Sequence, residues 1–292
     1  MKKIAFSWFQ PVTMATIFLF WAVASPALAH NPWTLTAVNV LVTAMVVVLE
    51  FVNERHASWR ITGREFATDL FYTILTFTVI AQATKWLCDE PLAHAKHALG
   101  ITTPWVIHLP FVLQVVLVMF LIDFGQYWMH KAMHHTWLWW SHAPHHHITQ
   151  MNAMKGAVGN PTELFLITVS VVALFDVPDS AVFCALSVMN VLGVCTHGNV
   201  RWDPPRWFMY FFNTIEFHSL HHSPQLENNR SNFGGTLIIF DRMLGTFRDG
   251  ESAIVGQEER KRLTIWEQTV FPFRPLIAAI KSRQTSSASV SS

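Results

Sequence analysis

The sequence predicts an all-α integral membrane protein with about four transmembrane helices, a short apolar hairpin and a cytoplasmic helical cap holding a di-metal histidine site. Three observations predict it. Hydrophobic residues make up 51% of the 292 and charged residues 13%, about half the charged share of ordinary soluble domains. Apolar stretches long enough to cross a bilayer recur through the first half of the chain. Eleven of the sixteen histidines fall between His130 and His222, at spacings that stack imidazoles on helix faces.

The elements follow in order. Residues 11–29 are apolar behind the basic start Met1-Lys2-Lys3 and end in Ala27-Leu28-Ala29. That small-x-small ending suits a cleaved export signal, but further apolar segments follow, so a first membrane helix is the preferred reading. Residues 33–52, 67–87 and 105–128 supply the second, third and fourth spans, each long enough for the roughly 30 Å hydrocarbon core. After the histidine-rich stretch, 162–175 and 180–196 form a thin hairpin around Asp176-Val177-Pro178-Asp179 that does not fully cross. Amphipathic pieces such as 207–216, after Pro204-Pro205, build the cap. At 236–240 β-branched residues cluster, yet a helix is expected over a strand. One domain covers 1–280, with its core at 110–250, and 281–292, rich in Ser, Thr and Gln, is a disordered tail.

Charge and cysteines exclude several classes. A net charge of +1 argues against nucleic acid as a partner. Cys88, Cys184 and Cys195 form no C-x-x-C pair, so neither a disulfide framework nor a thiolate zinc site is expected. Thirteen Trp and twenty-three Phe suit rings at headgroup depth, with Trp137, Trp139 and Trp140 as an interfacial belt. Lys2, Lys3, Arg55, Arg60 and Arg64 place the N-terminus and the 53–66 loop in the cytoplasm. Four spans then bring every histidine cluster to that same side, in what looks like a bacterial inner membrane.

The histidines fall into four pieces. His130 and His134 share a face at the foot of the fourth span, while His135 is rotated away. Asp123, two turns before His130, is expensive inside a membrane and suits an acceptor for a ligating imidazole N–H. His142, His145 and His146 read H-x-x-H-H, with Ser141 expected to cap a helix whose first turn holds Pro144, and His147 a bystander. His197 stands alone, followed by Asn199. His218, His221 and His222 read H-x-x-H-H again, ended by Pro224; Glu216 either orients an imidazole or faces water. Nine imidazoles exceed what one four-coordinate structural zinc needs and suit two metals of four or five ligands each. H-E-x-x-H, the Glu-x-x-His of soluble di-iron bundles and C-x-x-C are all absent.

The order Tyr127-Trp128-x-His130-Lys-x-x-His134, Leu138-Trp139-x-x-His142-x-x-His145-His146, His197-x-Asn199, His218-x-x-His221-His222-Ser223, Asn232-Phe233-Gly234 and Asp241-Arg242-x-x-Gly245-Thr246-Phe247 resembles the fatty acid hydroxylase/sterol desaturase superfamily of membrane di-iron oxygenases over about residues 110–250. The resemblance implies His130, His134, His142, His145, His146, His197, His218, His221 and His222 as ligands of two iron ions, with O2 as co-substrate. Some members carry a further His where this chain has Gly193; Asn190 or Asn199 is the candidate to complete that shell. It also implies hydroxylation of an aliphatic C–H of a membrane lipid, with electrons from a separate donor of ferredoxin or cytochrome type. Fatty acyl chains, sphingolipids, sterols, carotenoids and amino-acid-containing lipids are the implied substrates, with a polar lipid or carotenoid preferred. Desaturation at the same site is the alternative, and a membrane metal transporter or sensor is the reading from a different class.

Overall fold

The computed structural model describes residues 2–280; the expected tail at 281–292 lies outside them. Among the described residues the chain is helical, with one isolated bridge between Glu54 and Val200 in place of a sheet. The four long N-terminal helices are α1 (Lys2–Val23), α2 (Pro32–Val52), α3 (Gly63–Ala98) and α4 (Phe111–His135). Then come α5 (Trp139–His146), α6 (Pro161–Thr168) and α7 (Asp179–His197). The cap adds α8 (Arg206–Phe211), α9 (Ile215–His221), α10 (Leu226–Asn229), α11 (Ile239–Leu244) and α12 (Ile265–Val270).

Local chemistry sets the starts. Asn31 caps α2, its side chain accepting from the Trp33 N–H at 3.0 Å, with Pro32 in the first position. Thr62 caps α3 by accepting from the Glu65 N–H. Pro110 precedes α4. Helix α3 runs beyond its apolar window because the chain passes through two π turns, 76–80 and 85–89, without breaking.

The hairpin differs from expectation. Five helices, α1, α2, α3, α4 and α7, are long and apolar enough to cross a membrane. The turn of the pair 161–197 reaches the loops that join α1 to α2 and α3 to α4. At its far turn Asp176 accepts from Lys96 and from the Thr103 backbone, in the loop between α3 and α4, and Asp179 meets His30, in the loop between α1 and α2. The descending arm reads as short because α6 stops at Thr168 and extended backbone and a 3-10 turn, Val172–Leu174, continue it to the turn. The returning arm, α7, is the central helix: 67% of its apolar window is buried, against 17% for α1 and α3. It packs on α1, α2 and α4, and Trp21 Nε1 donates to Ser187 Oγ across the α1 interface.

Three smaller expectations also shift. Helix α5 begins at Trp139, not after Ser141, so Pro144 lies inside it and Ser141 Oγ donates to the Leu138 carbonyl instead of capping. The 207–216 piece is broken between α8 and α9, because Asn213 is stitched to the Thr236 and Gly234 carbonyls. At 236–240 the helix starts at Ile239; the backbone N–H groups of Thr236 and Leu237 are taken by Asp123.

Candidate metal centre

Helices α4, α5, α7 and α9 end at one depth, and each delivers its histidines there. The nine imidazoles form two buried sets. His130, His134, His142, His146 and His221 make one; His145, His197, His218 and His222 make the other, and within each set one ring nitrogen per residue lies within 4.8 Å of all the rest. In the first set His142 Nε2 is 3.1 Å from His130 Nε2 and 3.0 Å from both His134 Nε2 and His146 Nε2. In the second, His218 Nε2 is 2.9 Å from His197 Nε2 and 3.1 Å from His222 Nε2.

The outer nitrogens say which inner ones carry lone pairs. His130 Nδ1 sits 2.7 Å from the Phe233 carbonyl, His145 Nδ1 2.7 Å from that of Val158, His221 Nδ1 2.6 Å from that of Ser231, and His197 Nδ1 3.0 Å from that of Gly193. A carbonyl only accepts, so each Nδ1 bears the proton and each Nε2 a lone pair. His134 Nδ1 meets Asn229 Oδ1 at 2.9 Å, and His142 Nδ1 meets Glu163 Oε1 at 2.6 Å. The lone pairs of His130 and His134 therefore face that of His142 at about 3 Å, and His221 Nε2 is buried there without a partner. Such an arrangement is repulsive unless a cation sits between the nitrogens. Metal–imidazole bonds of about 2.1 Å at right angles put neighbouring nitrogens about 3.0 Å apart, so the donor set fits two metal ions. Burial holds His142, His145, His146, His218, His221 and His222 below the ordinary histidine range, His145 down to about 4, which keeps them neutral and ready to ligate.

A cavity of about 310 Å³ opens beside both sets, lined by His130 and His142 of one and His145, His197 and His218 of the other. Its remaining wall is mostly apolar, with Phe77, Leu164, Ile167 and Met189.

The chain is similar to several known proteins. The fatty acid hydroxylase family model matches residues 115–246. The chain is 28% identical over 230 residues to an ornithine lipid hydroxylase of Rhizobium tropici, covering 75% of this chain and 68% of the relative. It is 29% identical over 130 residues to an alkylglycerol monooxygenase of Xenopus tropicalis, covering 43% of this chain and 28% of that one. It is 28% identical over 145 residues to a very-long-chain aldehyde decarbonylase of Oryza sativa subsp. indica, covering 47% and 52%. These similarities support the resemblance to the fatty acid hydroxylase/sterol desaturase superfamily. No solved structure matches it.

All nine histidines implied by the superfamily pattern fall in the two sets, and His135 and His147 fall outside them. Two other expected residues lie elsewhere. Asp123 touches no imidazole: its carboxylate accepts from the Thr236 N–H and hydroxyl at 2.9 Å and the Leu237 N–H at 2.8 Å. It anchors the segment that carries the Phe233 carbonyl. Asn199 is turned away as well, its side chain pairing with both backbone groups of His56. Glu216 pairs with Arg55. Gly193, where some members of the superfamily have a ligand, borders the cavity, and a Cβ there would meet nothing within 4 Å.

Sequence reasoning missed Glu163 and Asn229. Glu163 supplies the carboxylate that the Asp123 reading assigned to an imidazole. Its signal was an acid in the first turn of an apolar segment, which is costly without a partner. Asn229 bridges His134 and His146, from a polar run with no distinguishing spacing. The carbonyls of Val158, Ser231 and Phe233 leave no mark in a sequence.

Proposed function

We propose that the chain is a membrane non-haem di-iron oxygenase that hydroxylates an aliphatic C–H bond of a lipid, using O2 and electrons from a separate donor of ferredoxin or cytochrome type. One observation carries the reading: two buried all-histidine sets open together on one largely apolar cavity among membrane-spanning helices. The chemistry a pair of irons supplies there is insertion of one atom of O2 into a C–H bond, the other atom leaving as water with two electrons and two protons taken up. The chain's residues do the rest. Phe233, Val158, Ser231 and Gly193 hold four rings by their Nδ1 protons, and Glu163 fixes His142, so the lone pairs are aimed before any ion arrives. Leu164, Ile167 and Met189 exclude water from the space where a chain would lie. Phe77 lines the cavity yet is 41% exposed, which supports entry of the substrate from the bilayer beside α3.

The basic residues at Lys3, Arg55, Arg60 and Arg64 support a cytoplasmic site in an inner membrane. A metal-transport reading requires ionisable ligands strung across the span, whereas these imidazoles gather at one end. Mass spectrometry of total lipids from cells with and without the expressed chain tests the proposal. A product heavier by one oxygen, absent from a His145→Ala strain with equal protein in the membrane, is the expected result. Loss of two hydrogens instead identifies desaturation, and an unchanged lipid profile in an iron-loaded, reductant-supplied preparation overturns the reading.

A further inference from the structure

We propose that residues 265–280 form an amphipathic anchor, which lies in the headgroup layer on the histidine side of the membrane and binds anionic phospholipid. The proposal goes beyond the oxygenase reading and does not depend on it.

A helical stripe is the first of three observations. Residues 274–280 are helical and every one is exposed. Phe273, Leu276, Ile277 and Ile280 are all among the exposed large apolar side chains. Spacings of three, four and seven put these four on one face of a helix. Trp266, 72% exposed, precedes them. So contiguous an apolar row marks a surface that meets an apolar partner.

Charge says which partner. After Glu267 the sequence holds Arg274, Lys281 and Arg283 and no Asp or Glu. An apolar stripe accompanied by cations alone is the pattern of a helix lying on an anionic lipid surface. A second copy of the segment would set like charges together, so a bilayer surface with negative headgroups is the complementary occupant.

Position agrees with both. Asn160, which caps α6, donates from Nδ2 to the Gln268 and Thr269 carbonyls at 2.8 and 3.0 Å. Phe271 is buried with Ala143 and Leu263, its ring 5.9 Å from that of Trp140. The segment is thus rooted against α5 and the head of α6, at the histidine ends of the spans. Trp137 and Trp140 are exposed there, and such rings favour headgroup depth. Because Leu164 and Ile167 of α6 line the cavity, lipid bound by the anchor steadies the head of a cavity-lining helix.

The test uses the full-length protein in phosphatidylcholine vesicles, with and without phosphatidylglycerol. Cys184 and Cys195 are buried, so a Cys88→Ser chain accepts single labels at Leu276→Cys, Ile277→Cys, Ala278→Cys and Ile280→Cys. With phosphatidylglycerol present, the labels at 276, 277 and 280 are expected to be quenched by a nitroxide lipid and shielded from aqueous iodide. The label at 278, on another face, is expected to behave in the opposite way. Removing phosphatidylglycerol lowers the shielded-to-exposed ratio. In its presence, Lys281→Gln and Arg283→Gln each lower that ratio roughly fivefold. Equal iodide access at all four positions overturns the proposal, and so does shielding that is the same with and without phosphatidylglycerol. Shielding that grows with protein density in the vesicle and ignores lipid charge identifies a second copy as the occupant, which also overturns it. The labelled positions are exposed and the two charge substitutions lie past residue 280, so they leave the packed core untouched.

Discussion

Glu163 shows how much a single side chain decides at the residue scale. It is buried, its Oε1 holds the His142 N–H, and its Oε2 has no partner. Replacing it with Leu should weaken iron retention about 10–100-fold, measured as metal content after competition with a chelator; Glu163→Gln, which keeps an accepting oxygen, should fall between. The two histidine sets should empty separately. His134→Ala should lose the ion of the five-residue set and His222→Ala that of the four-residue set, each leaving about half the iron per chain of wild type; loss of all metal in both would mean the sets are not independent. The nine histidines were legible because their spacing is a surface property of a helix, readable without the fold. Asp123 was misread because a carboxylate in a span announces only that it has a partner, not which one. Its true partners, the N–H groups of Thr236 and Leu237, lie more than a hundred positions along the chain.

At the scale of elements, short segments between spans carry the buried charge. Lys155, next to the cavity-lining Gly156, is sealed against Glu65 and Asp69 of α3, with Arg262 on the other oxygen of Glu65. Lys155→Met removes the cation shared by two buried carboxylates and should destabilise the protein by about 3–5 kcal/mol. Chemical denaturation in detergent measures this, and a change under 1 kcal/mol would show that the carboxylates find other partners. None of this network was read from the sequence, since Lys155 stands among Met, Asn and Ala with no pattern. The hairpin was half legible: its two apolar arms and its polar turn were in view. Its length was not, because the descending arm is only partly helical and hydropathy windows recognise helices. The Ser141 cap failed for a related reason. Pro144 occupies the sixth position of α5, where it forgoes one intrahelical hydrogen bond; first-turn proline is only the commoner case.

For the whole molecule, burying so many neutral imidazoles ties stability to pH. His142, His145, His146, His218, His221 and His222 all sit below the usual range through burial. The unfolded chain then binds more protons than the folded one, so stability falls as pH drops through about 6.5 and keeps falling toward 4, the value held by His145. Melting temperature of the metal-free protein against pH should show this, with more than one proton taken up per chain on unfolding near pH 5. Adding ferrous or zinc ions at neutral pH should raise the melting temperature, because ligation stabilises only the folded state, and a chelator should reverse the gain. The all-helical membrane class was legible from composition and hydropathy. The central place of α7 was not, since burial by neighbouring helices and burial by lipid leave the same apolar signature.

Each histidine set draws on three helices, the two together on α4, α5, α7 and α9, and neither is complete without residues at 218–222. A ribosome must therefore deliver nearly the whole polypeptide, and the translocon must seat every span, before a cage exists. Metal binding would therefore follow assembly of the finished fold rather than accompany synthesis.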